Sequence, residues 1–130
     1  PQEVGEPRHT AVSDAANYDP DALWQKGSFA LRKLYHDSPR PLLVVYTSPS
    51  CGPCHVLKPQ LKRVLEELAG QAQGVEIDIE AEPDIAQQAG VTGTPTVQLF
   101  LARELRQQWR GVRQRGEFRQ AIDNLLAVPA

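Results

Sequence analysis

Cys51 and Cys54 are the residues whose chemistry the sequence sets up most clearly. They are the only cysteines in the chain and form the run Cys-Gly-Pro-Cys. A disulfide between them would close a very short loop, which restricts the unfolded chain little and adds little stability. We therefore expect their role to be chemical.

The residues on either side give the two thiols different properties. The apolar run at 42–46 predicts a buried strand, and the apolar spacing after Pro53 predicts a helix. Cys51 then lies at the start of a helix, where free N–H groups and the helix dipole favour a thiolate. Cys51 is the candidate nucleophile, and the less accessible Cys54 is the candidate that resolves a mixed disulfide on Cys51.

A zinc site is the competing interpretation, because a Cys-x-x-Cys pair also opens many zinc sites. Such a site needs two further ligands. The histidines of the chain are His9, His36 and His55, and none has the expected ligand spacing. The sequence therefore favours a redox-active dithiol and no metal, with a zinc site and an inert pair as the alternatives.

Further elements must hold this strand and helix in place. The helix that follows the cysteines is expected to end near Gly70 and to be kinked by Pro59. Ser28 is expected to cap an earlier helix that ends before Pro39, and an edge strand at 22–25 is left open. The sequence also predicts a strand at 75–79, a helix at 83–89, paired strands at 96–101 and 105–109 joined around 103–104, and a closing helix around 118–126.

The order of these elements predicts an α/β fold with a central mixed β-sheet flanked by helices on both faces. The 130 residues suffice for one domain. Residues 1–20 contain three prolines and few large apolar groups, so we expect a flexible linker there and the domain at 21–130. Because the chain begins with Pro1 and contains no methionine, we expect a processed chain or an excised fragment.

Charge and hydropathy argue against two classes of partner. The net charge of -2 gives no general attraction to nucleic acid. No apolar run is long enough to span a bilayer, and the first residues lack the pattern of a signal peptide. We therefore expect neither nucleic acid nor a membrane as a partner.

Two motifs together resemble the thioredoxin family. Cys51-Gly52-Pro53-Cys54 matches its active-site motif, and Gly93-Thr94-Pro95-Thr96 matches the segment that places a cis-proline beside that motif. The resemblance covers residues 28–127 and implies the thioredoxin fold and thiol-disulfide oxidoreductase activity. It also implies that Gly52, Pro53, Thr94 and Pro95 shape the substrate groove, with the Thr94 backbone free to pair with an extended substrate. The alternative for Pro95 is an ordinary loop proline.

A closer resemblance is to the C-terminal thioredoxin domain of NADPH-dependent thioredoxin reductase C, a fused enzyme of cyanobacteria and plastids. It rests on residues 30–36, 46–49, 76–80 and 93–95. It implies that FAD and NADPH bind to a reductase module missing from this chain. The redox group of this chain itself is then the Cys51–Cys54 disulfide. Electrons would pass on to 2-Cys peroxiredoxins and other disulfide proteins, in cyanobacterial cytoplasm or the plastid stroma. No Gly-x-Gly pair occurs here, so the chain carries no dinucleotide-binding fingerprint.

Two positions depart from the thioredoxin pattern. Ser50 stands where a tryptophan usually precedes the first cysteine, and Val45 stands where a buried aspartate is common. Glu76, on the strand expected beside Val45, is the candidate for a relocated buried carboxylate that acts on Cys54. The alternative is that Glu76 points outward as part of the acidic stretch 76–84.

The sequence thus predicts a thiol-disulfide oxidoreductase in which Cys51, Cys54 and Glu76 are catalytic. The alternative function is a redox-inert domain of the same fold that docks a partner. The six arginines between residues 103 and 119 could form such a docking surface for an acidic partner, or simply a solvated face. Trp24 and Trp109 are expected to be core or interface anchors.

Overall fold

A five-stranded mixed sheet runs through the centre of the computed structural model, which describes residues 17–127. Its strands are β1 (Trp24–Lys26), β2 (Leu42–Thr47), β3 (Gln73–Asp78), β4 (Thr96–Leu101) and β5 (Glu104–Arg110). Their order across the sheet is β1-β3-β2-β4-β5. Strands β1, β3 and β2 are parallel, whereas β4 runs antiparallel to β2 and β5 runs antiparallel to β4.

Helices cover both faces of this sheet. They are α1 (Ser28–Asp37), α2 (Gly52–Glu67), α3 (Pro83–Gln88) and α4 (Arg115–Ala127). Apolar side chains of α2 and α4 form one core cluster with one face, and those of α1 and α3 form a second cluster with the opposite face. The predicted fold class is therefore confirmed. Among residues 17–127, no helix has the length and apolar character needed to cross a membrane.

Strand β2 is buried along its whole length. All six of its residues are shielded from solvent. Leu43 and Val45 contact the cluster of α2 and α4, whereas Leu42, Val44 and Tyr46 belong to the cluster of α1 and α3. A strand covered on both faces needs apolar residues at consecutive positions, which is why the continuous apolar run predicts this strand correctly.

The topology brings four strand ends to one edge of the sheet. Strands β2, β3 and β5 finish there with Thr47, Asp78 and Arg110, and the antiparallel β4 begins there with Thr96. We call this edge the cysteine edge. The connection from β2 to α2, residues 48–51, therefore lies between the segment that follows β3 and the segment that precedes β4.

The start of α1 differs from the prediction. Ser28 does not cap the helix with its side chain; it is the first helical residue, and Gly27 precedes it with φ 100°. The Ser28 backbone N–H donates instead to Glu82 Oε2 over 3.1 Å. The capping prediction is wrong because the acceptor comes from a residue 54 positions along the chain, which no local pattern reveals.

Two strand details are also settled. The edge strand left open at 22–25 is present as β1, one residue further along. The connection between β4 and β5 is formed by Ala102 and Arg103, both with positive φ, rather than by residues 103–104. Two consecutive left-handed residues are typical of a tight hairpin turn whose twist matches that of the strands.

The predicted linker, residues 1–20, is described only in part. Residues 1–16 and 128–130 lie outside the described residues. Within the rest, the Pro20 carbonyl accepts a hydrogen bond from Gln73 Nε2 over 2.7 Å. The boundary between linker and domain stays a prediction.

Gly74 lies where β1 meets β3 and leaves no room for a side chain. A Cβ there would lie 2.8 Å from Leu65 Cδ1 and 2.8 Å from Trp24 Cε3. We expect Gly74→Ala to lower the free energy of unfolding in urea by about 1 to 3 kcal/mol, because both neighbours must move. Gly116→Ala is the control, since a Cβ at that position meets nothing within 4 Å. It should be neutral or stabilising, and equal losses in the two variants would contradict the packing argument.

Candidate active site

The two cysteines form a disulfide at the amino-terminal end of α2. Their Cα atoms are 5.4 Å apart. The Cys54 backbone N–H donates a hydrogen bond to Cys51 Sγ over 3.2 Å. Cys51 is 8% exposed and Cys54 is 1% exposed. A partner arriving from solvent therefore reaches Cys51 before Cys54.

The run Cys-Gly-Pro-Cys suits the start of a helix. Cys51 is the N-cap residue of α2, and Pro53 lies in the first turn, where a missing N–H removes no helical hydrogen bond. Gly52 and Pro53 are both exposed next to the disulfide. The positive end of the dipole of this 16-residue helix thus lies at Cys51 and favours negative charge on its sulfur after reduction.

The segment that precedes β4 lies beside this helix start. Thr96 pairs with Tyr46 of β2, which places Pro95 at the cysteine edge. The Thr94–Pro95 peptide bond is cis, and Pro95 is buried. Its carbonyl accepts a hydrogen bond from the Gly111 N–H over 2.8 Å, whereas no hydrogen bond among residues 17–127 uses the Thr94 backbone. That backbone is open to pairing with a further strand.

Glu76 points into the protein beneath α2. Only 6% of the residue is exposed. Its carboxylate accepts hydrogen bonds from Lys58 Nζ at 2.9 Å, Thr47 Oγ1 at 3.1 Å and Trp24 Nε1 at 3.3 Å. The alternative of an outward-facing side chain in a solvated acidic stretch is therefore wrong.

The partners of Glu76 connect its carboxylate to the elements that carry the two cysteines. Thr47 ends β2, four residues before Cys51. Lys58 follows Cys54 by four residues on α2, so the two side chains occupy neighbouring positions on one helix face. The carboxylate consequently lies between Thr47 at the end of β2 and the ammonium group of Lys58, which extends from α2 four residues after Cys54.

Glu76 is held in its ionised form. Burial raises the pKa of the carboxyl, but the hydrogen bond and positive charge of Lys58, with help from Trp24 and Lys26, outweigh that effect. The pKa therefore lies below its ordinary value. The Lys58 side chain is 23% exposed, so the ion pair is partly screened by solvent.

Sequence reasoning misses the three donors to Glu76. Trp24 is expected there only as an anchor; it does pack against the core cluster, but its indole N–H also bonds to Glu76. The one signal for Lys58 is its spacing from Cys54, and nothing in the sequence connects it to Glu76. Val45, which stands where a buried aspartate is common, lies in the apolar core directly opposite Glu76 in the sheet.

The histidines are not gathered around the cysteines. His55 is exposed on α2, and His36 lies on α1, which covers the other face of the sheet. His9 lies outside the described residues. No group of three or more His, Cys, Asp or Glu side chains within residues 17–127 could hold a metal ion.

Comparison with known proteins shows the family. The sequence matches the family Thioredoxin over residues 26–124. The chain belongs to the thioredoxin family. The disulfide between Cys51 and Cys54 is thus the redox-active disulfide of a thioredoxin domain, which places the chain among the oxidoreductases.

Two relatives show the range of proteins in which such a thioredoxin domain occurs. NADPH-dependent thioredoxin reductase 3 from Arabidopsis thaliana is 51% identical over 98 residues, which cover 75% of this chain but 18% of that protein. Thioredoxin-like protein slr0233 from Synechocystis sp. is 35% identical over 85 residues, which cover 65% of this chain and 81% of that protein. The resemblance to the thioredoxin region of NADPH-dependent thioredoxin reductases is confirmed, although the chain spans less than a fifth of the Arabidopsis protein.

A solved structure agrees on the fold. A mutant thioredoxin from Halobacterium salinarum NRC-1 superimposes with a TM-score of 0.73 at 24% identity and covers 88% of this chain and 99% of its own. At this level of identity the likeness supports the thioredoxin fold and nothing more specific.

Removing the charge of Glu76 should destabilise the thioredoxin domain at neutral pH but not in acid. Glu76→Gln keeps the shape of the side chain and leaves Lys58 without its counter-charge, which we expect to cost about 2 kcal/mol near pH 7. Because folding lowers the pKa of Glu76, the wild type has this advantage above the ordinary glutamate range and loses it as the pH falls through the lowered pKa.

Urea unfolding of both proteins, at a series of pH values from neutral down to about 2, measures this difference. Glu66→Gln is the control, because Glu66 is exposed on α2, the helix that carries Lys58, and it should change stability little at any pH. A difference between wild type and Glu76→Gln that stays constant over the whole range would show that the ion pair is not its source.

Proposed function

We propose that this domain relays electrons from a reductase module carrying FAD and NADPH to protein disulfides, such as those of 2-Cys peroxiredoxins. The observation that carries the proposal is the disulfide of Cys51 and Cys54 at the start of α2, beside the cis peptide bond of Thr94–Pro95. The 51% identity to a plant NADPH-dependent thioredoxin reductase supports the choice of electron donor. The plant and cyanobacterial origin of the relatives supports the plastid stroma or a cyanobacterial cytoplasm as the compartment.

The first chemical step belongs to Cys51. In the reduced domain its thiolate, favoured by the start of α2, attacks one sulfur of the partner's disulfide. A bond forms between Cys51 and that sulfur, the partner's S–S bond breaks, and the partner's other sulfur leaves as a thiolate that takes up a proton. The 8% exposure of Cys51 is consistent with attack by way of a partner that docks closely.

The second step belongs to Cys54. Its thiol loses a proton and attacks Cys51 Sγ, which restores the disulfide seen in the structure and releases the partner as a dithiol. Two electrons thus pass to the partner, and an external dithiol must return them to the domain. The Cys54 backbone N–H, 3.2 Å from Cys51 Sγ, stabilises negative charge on Cys51 in both directions of the exchange.

Glu76 is proposed as the carboxylate that acts on Cys54 during this second step. It is ionised at neutral pH and lies among Thr47, Lys58 and Trp24, below the helix turns that bear Cys54. Its lowered pKa makes it a weak base, so we expect a modest contribution to proton removal. The charge of Lys58 keeps the carboxylate in place and in the deprotonated form that a base requires.

The substrate groove is proposed to lie over Gly52, Pro53, Thr94 and Pro95. Gly52 and Pro53 present no bulky or charged group at the surface beside Cys51, and a Cβ on Gly52 would meet nothing within 4 Å. The unpaired Thr94 backbone offers an N–H and a carbonyl to an extended partner segment, as in other cases of strand addition. Main-chain pairing of this kind would accept many different partner sequences.

FAD and NADPH are assigned to the separate reductase module rather than to this chain. Their chemistry is hydride transfer, which would regenerate a dithiol donor. The donor's dithiol then reduces the disulfide of Cys51 and Cys54 by the reverse of the steps above. This assignment agrees with the absence of any Gly-x-Gly pair in the sequence.

Replacing Cys51 should abolish turnover. With dithiothreitol as donor, the wild type should reduce the disulfides of insulin, and Cys51→Ser should fall to the uncatalysed rate. Cys54→Ser should instead accumulate a mixed disulfide with oxidised 2-Cys peroxiredoxin, visible on a non-reducing gel, because the resolving thiol is missing. Equal rates for wild type and Cys51→Ser would mean that the domain is a redox-inert docking module, and failure to trap the peroxiredoxin would remove it as the partner.

Glu76→Gln should slow the resolution step by about tenfold at neutral pH, which is below the range of about 10²- to 10⁴-fold typical of general acid–base catalysis because Glu76 is a weak base. Stopped-flow measurement of mixed-disulfide decay over a pH series is the test, and the loss should shrink at high pH, where Cys54 ionises unaided. Glu76→Asp should recover part of the rate. Unchanged decay rates and an unchanged thiol titration in Glu76→Gln would reduce Glu76 to a structural role.

A further inference from the structure

The cysteine edge carries opposite charges on the two sides of Cys51. Cys51 follows β2, the middle strand of five, so the end of β3 lies on one side of it and the ends of β4 and β5 lie on the other. Neighbouring strands are separated by about 4.8 Å, which places the β3 side about 5 Å and the end of β5 about 10 Å from the end of β2. A partner segment bound over the end of β2 therefore has both sides within about 10 Å.

The side next to β3 is acidic. Glu80 is exposed, and its Oε2 lies 3.4 Å from the hydroxyl of Ser50, the residue directly before Cys51. The neighbouring acids Asp78 and Glu82 accept hydrogen bonds from backbone N–H groups, namely those of residues 80 and 81 and of residue 28. Glu80 is therefore an exposed carboxylate directly beside the residue that precedes Cys51, and we call it the acidic flank.

The side next to β5 is basic. Arg110 pairs with Thr96 in the sheet, one residue from Pro95, and Arg113 follows shortly after it. Both arginines are exposed, and within residues 17–127 neither forms an ion pair. We call these two arginines the basic flank.

Two other arginines of the 103–119 stretch, Arg106 and Arg119, do not share this position. Arg119 is paired with Asp123 and Glu67 on the helical layer, and Arg106 lies near Glu104 at the far end of β5. The arginine-rich stretch is thus divided by the fold: Arg110 ends β5 at the cysteine edge, whereas Arg106 and Arg119 lie elsewhere. A general docking surface for acidic proteins is a poorer description than a local charge beside the groove.

We propose that the two flanks select partner segments with a matching charge order around the reactive cysteine: basic residues on the side over Glu80, and acidic residues on the side over Arg110 and Arg113. This rests on the proposed function, because it names the class of disulfide partner that the same groove prefers. Complementary charges raise the rate of encounter and fix the register of docking, and a partner of the opposite order meets like charges on both sides. The exposed position of the flanks makes this selection dependent on salt.

Two peptides of identical composition test the proposal. Each carries one cysteine as a mixed disulfide with neutral 2-thiopyridine. In one peptide lysines precede the cysteine and glutamates follow it, and in the other peptide this order is reversed. The reduced chain attacks the peptide sulfur, and release of thiopyridone is followed by its absorbance. We expect the chain to react about fivefold faster with one peptide than with the other at ionic strength near 0.01 M, where charges act over about 30 Å.

Charge reversal then assigns the preference to the flanks. The variant with Glu80→Lys, Arg110→Glu and Arg113→Glu should prefer the other peptide, whereas Arg63→Glu, at an exposed position on α2, should keep the wild-type preference. Each rate is divided by the rate of the same protein with a peptide whose charges are replaced by serine. The wild-type preference should also disappear near 1 M salt, where charges act over only about 3 Å, and this arm needs no variant.

The outcomes separate the two proposals. If the wild type fails to react with the serine peptide, the proposed function is at fault. If it reacts with the serine peptide but treats the two charged peptides equally, the charge-order proposal is overturned and the proposed function stands. A preference that survives charge reversal or about 1 M salt also overturns it, because the selection would then come from the groove and not from the flanks.

Discussion

Strand β2 is the element on which the active site depends. Its six residues are buried on both faces, so sliding it by one residue would exchange the side chains that face the two helical layers. Hydrogen bonding to β3 and β4 fixes it laterally as well. Since only residues 48–50 separate its end from Cys51, the packing of this strand decides where α2 begins and where the disulfide lies. The chemistry is thus positioned by core packing rather than by contacts of the cysteines themselves.

A buried charge is arranged differently here from the common thioredoxin pattern. The residue six positions before the first cysteine is Val45, and the carboxylate belongs to its cross-strand neighbour Glu76. A carboxylate only 6% exposed would be strongly disfavoured without partners. Lys58, one of its three donors, extends from α2 itself, so the ion pair joins β3 to the helix that carries Cys54. The same ion pair therefore helps to fix the position of the helix that carries the disulfide.

Sequence patterns predict those parts of the molecule whose causes are local. The apolar run of β2, the helix after Pro53 and the β4–β5 hairpin each follow from neighbouring residues, and the paired motifs lead to the thioredoxin fold. The errors and gaps arise where distant residues meet: the α1 start is capped from 54 positions away. The donors to Glu76 are 18, 29 and 52 positions distant from it. A sequence can nominate Glu76, but it cannot show what makes a buried carboxylate tolerable there.

The charge order proposed for the cysteine edge has a consequence for the cysteines themselves. Glu80 lies on one side of Cys51 and Arg110 on the other, so their electrostatic potentials at the Cys51 sulfur have opposite signs and partly cancel. The start of α2 and the Cys54 N–H then remain the main influences on that sulfur. A docked partner, in contrast, places separate groups over each flank, and each group interacts mainly with the charge nearest to it. Opposed flanks can therefore change which partners are preferred while leaving thiol reactivity almost unaltered. Because these side chains are exposed, such changes also put little strain on the core that positions the disulfide.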